Sequence, residues 1–251
     1  MRGEKDMVKL LIALFGVSWA WAAQAGLPET IARIKPSIVA VGSYQKLRSP
    51  ALQIRGSGFV IGDGQTVVTN LHVLPERLEA DERLIIVVPG SPVRMLGAEA
   101  QARDRDHDLA LLRISVPLPA LRLGVPDTVR EGQEIFFTGF PIGAALGAVP
   151  VTHRGIVSAI TPMALPGGNS KQINSAAIRQ LRSGPLTAYQ LDATAYPGNS
   201  GSALIDSESG DVLGVINMVF VKGAKESALS QPTGISFAIP VKYLIELIER
   251  R

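Results

Sequence analysis

The sequence predicts an all-β fold, with two β-barrels of about equal size, six strands in each, and a closing C-terminal helix. Three observations carry this expectation. Short apolar runs recur along the chain, each bounded by Gly, Pro, Asp or Asn. Glycine and proline are abundant, at 25 and 17 residues, as a chain of many turns requires. Only the last residues change to the spacing of an amphipathic helix. The 251 residues suffice for one large core or two small ones.

Residues 28–34 read as a short helix with Ile31 and Ile34 on one face and Pro36 as its stop. Strands are expected at 37–41, 58–61, 66–69, 84–88, 98–103 and 109–114, and these six would close on themselves. Gly124-Val125-Pro126-Asp127 reads as a linker, which sets the expected units at 26–124 and 125–251. The second unit has candidate strands at 134–138, 155–160, 187–192, 202–205, 212–221 and 235–239. Residues 163–184 are polar and read as a long surface loop, with a helical turn at 176–181; loops of that length are usually functional or mobile. Pro240 suits the first turn of the closing helix, and Val241, Leu244, Ile245 and Ile248 follow at i, i+3, i+4 and i+7. Arg250 and Arg251 favour its negative end, and no further domain is expected beyond them.

Composition narrows the function. Hydrophobic residues make up 46% of the chain and charged residues 19%, which fits a folded protein and not a disordered one. The net charge is +3 and the basic residues are scattered, so nucleic acid is not an expected partner. The absence of cysteine excludes a disulfide scaffold, an iron–sulfur site, a zinc–cysteine site and a cysteine nucleophile. At the N-terminus, Arg2, Lys5 and Lys9 precede an apolar stretch at 10–23, and Ala23-Gln24-Ala25 offers the small residues a signal peptidase reads. Residues 1–25 are therefore expected to be a signal peptide, giving a periplasmic mature chain with no stable membrane insertion. An uncleaved anchor is the alternative, against which the apolar stretch is short for a span.

Three stretches can carry chemistry. In Pro197-Gly198-Asn199-Ser200-Gly201-Ser202, a serine sits in a tight turn whose N–H groups could face an oxyanion. Gly198 permits a backbone conformation closed to other residues, and Gly201 would let the chain leave without crowding a substrate. A plain turn between strands is the other reading. Thr69-Asn70-Leu71-His72-Val73 follows an apolar strand, and a histidine suits the task of taking a serine's proton near neutral pH. His107 and His153 are its rivals. In Asp104-Arg105-Asp106-His107-Asp108, the last aspartate directly precedes a strand and could orient an imidazole. The same cluster has some look of metal ligands, but no second ligand cluster accompanies it. The order His, Asp, Ser differs from the Ser, Asp, His order of the α/β-hydrolases, and the G-x-S-x-G elbow fails at Ser202.

These residues resemble the HtrA/Deg branch of the trypsin-like serine proteases. The likeness lies in Gly56-Ser57-Gly58-Phe59-Val60-Ile61, 67–73, 104–112, Thr138-Gly139-Phe140-Pro141-Ile142-Gly143, Gly155-Ile156-Val157-Ser158-Ala159, 191–204 and 234–240, in order along the chain from about residue 30. The resemblance implies a chymotrypsin-like double barrel of Greek-key type with its active site between the barrels. It implies His72 as general base, Asp108 as its orienting partner, Ser200 as nucleophile, and the N–H groups of Gly198 and Ser200 as the oxyanion hole. Peptide hydrolysis would run through an acyl-enzyme, without metal or cofactor, on unfolded or damaged proteins of the envelope. A homotrimer is one assembly it allows. A silent pseudoprotease, acting as a binding module on the same fold, is the alternative. Thr194, six residues before the serine, would line the primary pocket; being uncharged, it favours a small or medium apolar side chain over Lys or Arg. The chain departs from the family in having Ser202-Ala203 where Gly-Pro is usual, a longer 163–184 segment, and no PDZ domain expected after the closing helix. Asn199 precedes the serine where digestive enzymes carry an acid, so activation by a new N-terminus is not expected.

Overall fold

In the computed structural model, helix α1 (Leu27–Ile34) carries Pro28 and Glu29 in its first turn and Arg33 in its last, each suited to its end of the helix. A 3-10 turn, Lys35–Ser37, holds Pro36 and ends it. The structure describes residues 26–141, 149–163, 186–218 and 234–251. The expected leader at 1–25, nearly all of the 163–184 loop and its helical turn, and the end of the 212–221 run lie outside the described residues.

The first barrel contains β1 (Ile38–Tyr44), β2 (Leu52–Ile61), β3 (Thr66–Asn70), β4 (Arg83–Val88), β5 (Arg94–Asp104) and β6 (Leu109–Ile114). It closes in the order β1-β2-β3-β6-β5-β4. The second contains β7 (Glu134–Gly139), β8 (Val151–Met163), β9 (Leu186–Asp192), β10 (Ala203–Asp206), β11 (Val212–Ile216) and β12 (Ile235–Pro240), and repeats the same order as β7-β8-β9-β12-β11-β10. Every strand pair is antiparallel. Both barrels and the closing helix thus match the expected all-β architecture.

Continuous apolar runs, rather than alternating ones, arise because many strands are buried on both faces. Along β1, Val39 and Val41 pack inside the first barrel with Val60, Val67, Ile86 and Leu112. Their neighbours Ile38 and Ala40 join a cluster that spans the barrels and includes Phe59, Leu111, Phe136, Phe140 and Ile239. Phe136 and Phe137 divide in the same way, Phe137 packing inside the second barrel with Val157, Leu191 and Leu204. Three strands outrun their apolar runs. β2, β5 and β8 extend through stretches that mix half-buried and exposed side chains but whose backbones pair, as Gln53 does with Ser43.

Helix α2 (Val241–Glu249) lays Val241, Leu244 and Leu247 on the shared cluster. Leu247 takes a fully buried place the heptad-like reading gave to Ile245 and Ile248, which are half-buried. Pro240 caps α2 as the last residue of β12 instead of entering its first turn. No helix among the described residues is long and apolar enough to cross a membrane.

Candidate active site

His72 stands in a 3-10 turn, Leu71–Val73, directly after β3. Asp108 stands at the entry to β6, which pairs with β3, so Asn70 faces Leu109 across the ladder. Asp108 has φ of 53°, a left-handed conformation uncommon for a residue with a side chain. Its surroundings over-determine that conformation. Its carbonyl accepts from Leu71 N–H (3.0 Å) and Asn70 Nδ2 (3.0 Å). Its carboxylate accepts from His72 N–H at Oδ1 (2.9 Å), meets His72 Nδ1 at Oδ2 (2.5 Å), and accepts from Asn217 Nδ2 at Oδ2 (2.7 Å). With Nδ1 turned to Asp108, the imidazole presents Nε2 as its other nitrogen.

Ser200 comes from the second barrel, in the turn between β9 and β10. Gly198 and Gly201 both have positive φ, 102° and 88°, as the turn demands. The reason for glycine at 201 differs from the sequence expectation. A Cβ there would sit 2.1 Å from Ser57 O and 2.5 Å from Thr69 Oγ1, so what it would crowd is the first barrel, not a substrate. The carbonyls of Gly198, Asn199 and Ser200 are all tied back, to Ser57 Oγ (2.7 Å), Ser202 N–H (3.0 Å) and Ser57 N–H (2.8 Å). The N–H groups of Gly198 and Ser200 donate to no described residue. The departure at Ser202 is accommodated locally. Its hydroxyl occupies the space a Cβ on Gly139 would need, 2.2 Å from that position.

The structure brings His72 and Asp108 into contact. Ser200 stands on the second barrel, and among the described residues no hydrogen bond joins its Oγ to His72. That Oγ instead has a long contact from Met218 N–H, 3.4 Å. The adjacent Asn217 and Met218 therefore touch both Asp108 and Ser200. A Cβ on Gly56 would meet Val73 at 2.7 Å and Ser200 O at 2.9 Å, so glycine there lets the two turns approach. Asn217, Ser57 and Thr69 are site residues the sequence reading did not single out. Asn217 had one available signal, a polar residue interrupting an apolar run. Thr194 is half-buried between buried Ala193 and Ala195.

The two rival histidines have other partners. His107 Nδ1 lies 2.8 Å from Asp104 Oδ2, and its ring stacks on Tyr243 of α2 with centroids 4.1 Å apart. Asp104 Oδ1 also accepts the N–H groups of Asp106 and His107, closing the turn that leads to Asp108. Burial opposes the charge on Asp104, but His107 and then Arg250 outweigh it and hold the carboxyl at about 2. Among the described residues, no three His, Asp or Glu side chains are grouped to hold a metal ion.

His153, on β8, stacks on Phe137 (5.1 Å) and lies 5.7 Å from the Tyr196 ring. Burial pushes its pKa below the ordinary imidazole value. The unfolded chain would then take up a proton near pH ~6.5 that the folded chain refuses. Stability is full above that point and falls as pH drops towards the folded value. His153→Phe should therefore flatten the decline in urea midpoint between about pH 7 and about pH 5. An unchanged slope would mean that His153 titrates alike in both states.

A family model described as "trypsin-like peptidase domain" matches residues 56–215, a span holding His72, Asp108 and Ser200. The chain belongs to the trypsin-like peptidases. Its relatives include proteases of the HtrA/Deg branch. It is 29% identical over 202 residues to the mitochondrial serine protease HTRA2 of Drosophila pseudoobscura pseudoobscura, covering 80% of this chain and 40% of that protein. It is 30% identical over 200 residues to a probable periplasmic serine endoprotease, DegP-like, of Halomonas elongata, covering 78% of this chain and 34% of that protein. The chain thus spans about two fifths or less of these relatives' length. Among solved structures, the fold is similar to Deg5, with a TM-score of 0.61 at 25% identity over 86% of this chain and 89% of that one. A serine endoprotease from Yersinia pestis gives 0.62 at 23% identity, over 90% and 66%.

Proposed function

We propose that this HtrA/Deg-type chain is a serine endopeptidase in which Ser200 is the nucleophile, His72 the general base and Asp108 the group that orients it. The observation that carries the reading is the Asp108 carboxylate, held by three donors and fixing His72 Nδ1, together with a serine turn whose Gly198 and Ser200 N–H groups donate to no described residue. His72 Nε2 takes the Ser200 proton as Oγ attacks the scissile carbonyl. These two N–H groups stabilise the oxyanion. The tetrahedral intermediate collapses, the amine leaves with the proton from His72, and water repeats the sequence to release the acid. Thr194 lines the primary pocket for a small or medium apolar side chain.

The proposed setting is the cell envelope, with removal of residues 1–25 and action on unfolded or damaged proteins. The periplasmic name of the Halomonas relative and the pattern of the N-terminal sequence support it. One measurement tests both parts. The intact mass of protein purified from the envelope fraction should correspond to a chain starting at Gly26. After treatment with a fluorophosphonate and unfolded casein, it should rise by one adduct, with fluoride lost. Ser200→Ala should take none. An unreactive wild type would favour a pseudoprotease, and a retained leader would favour an anchor.

A further inference from the structure

We infer that Ser57 is a positioning residue for this proposed reaction, fixing from the first barrel the peptide planes that aim the Gly198 and Ser200 N–H groups. Ser57 lies on β2 and is fully buried. Its hydroxyl donates to Gly198 O at 2.7 Å and accepts from Phe140 N–H at 2.9 Å. Because Phe140 N–H engages the oxygen, the proton is directed to Gly198. Its own N–H donates to Ser200 O at 2.8 Å, and its carbonyl accepts from Thr69 Oγ1 at 2.8 Å, three residues before His72. One residue therefore joins the strand that leads to the proposed base, the end of β7 and the turn of the nucleophile.

The geometry of the peptide chain turns these bonds into a constraint on the site. Each peptide unit rotates as a plane. The plane from Gly198 C=O to Asn199 N–H is held at both ends, by Ser57 Oγ and by Tyr196 O (2.9 Å). The plane from Ser200 C=O to Gly201 N–H is likewise held by Ser57 N–H and Ile216 O (3.0 Å). Between them lies the plane carrying Ser200 N–H. Ahead of them lies the one carrying Gly198 N–H, which can swing away by paired rotation at Pro197 ψ and Gly198 φ. Glycine itself imposes little restraint on that rotation. The neighbouring side chains add little, since among the described residues the buried Asn199 amide and Ser202 hydroxyl have no hydrogen-bond partner. The Ser57 hydroxyl is thus the side-chain tie that keeps the turn's carbonyls facing away from the cleft and its N–H groups facing in.

The inference rests on the peptidase reading, and the test separates the two. Wild type, Ser57→Ala and Ser57→Cys are assayed on a peptide ester and on casein, with kcat expressed per site counted by burst titration. Affinity for a peptide boronic acid is measured alongside, because its boronate oxygen occupies the oxyanion position. Ser57→Ala should lose about 10- to 100-fold in kcat, with KM within about twofold. Boronate affinity should fall in parallel, and the pKa that governs the pH–rate profile should not move, since His72 and Asp108 are untouched. Ser57→Cys, with a weaker donor, should fall between and gives a reading even if the alanine variant does not fold. Unchanged kcat per site and unchanged boronate affinity in an active background would overturn the inference alone, as would a loss confined to melting temperature. A wild type that neither cuts casein nor reacts with a fluorophosphonate would overturn the function and the inference together.

Discussion

Ser200→Ala is expected to lower kcat by on the order of 10⁶-fold while leaving the fold and peptide binding intact. Ser200 is almost fully buried, and its backbone carries the turn through Ser57 N–H, so deleting one oxygen removes the nucleophile without unpairing a buried network. Among the described residues, its Oγ has only the long contact from Met218 N–H to lose. Circular dichroism and melting temperature should therefore match wild type within a few degrees. His72→Ala should cost a similar factor, because the serine hydroxyl is a weak nucleophile without its base. The decisive result is the double variant. Residues that act as one unit give losses far short of additive, so combining the two should cost scarcely more than either alone. Independent, multiplying losses would remove His72 and Ser200 from a common mechanism. The residual rate in all three variants would come from binding and from the N–H groups of Gly198 and Ser200.

What could be read from the sequence follows the range of the interactions involved. Strands such as Ile38–Tyr44 and Leu109–Ile114 are plain because both their faces are buried, one inside a barrel and one at the seam, which makes their apolar runs continuous. The added ends of β2 and β5 hold only scattered apolar residues, such as Leu52, Ile54 and Leu96, half-buried between polar or exposed neighbours, so they do not extend the continuous runs. In α2, the sequence offers Ile245, Leu247 and Ile248 at nearly equal hydrophobicity. Of the faces this spacing allows, the one holding Val241, Leu244 and Leu247 meets the shared cluster, and so Leu247 is the one buried.

The site divides in the same way. His72, Asp108 and Ser200 each stand out in a short local pattern of turn residues beside an apolar run. Ser57 and Asn217 act on partners 141 and 109 residues away, so nothing in their own neighbourhood states what they do. The glycines illustrate the limit again. Gly201 reads as a turn residue from sequence, but its necessity comes from the carbonyl of Ser57 on the other barrel, a contact only the assembled fold creates.

Asp108→Asn should lower kcat near neutral pH by about 10⁴-fold, with KM and melting temperature almost unchanged. The backbone of Asp108 is held by Leu71 N–H and Asn70 Nδ2, and asparagine is among the residues that tolerate its left-handed conformation. The fold should therefore persist. The chemistry should not. In wild type the carboxylate offers acceptors only, to His72 N–H, His72 Nδ1 and Asn217 Nδ2. An amide replaces one of those oxygens with a donor. Keeping its oxygen on His72 N–H turns its NH₂ towards His72 Nδ1, which must then accept. The imidazole proton is thereby driven to Nε2, the nitrogen that has to take the proton from Ser200. The stabilisation of the imidazolium by a neighbouring negative charge is lost as well. A kcat loss at unchanged KM is the signature of an interaction used in the transition state and not in ground-state binding. Retention of full activity in Asp108→Asn would exclude Asp108 from the mechanism. A loss accompanied by a large fall in melting temperature would assign it to the architecture of the β3–β6 junction.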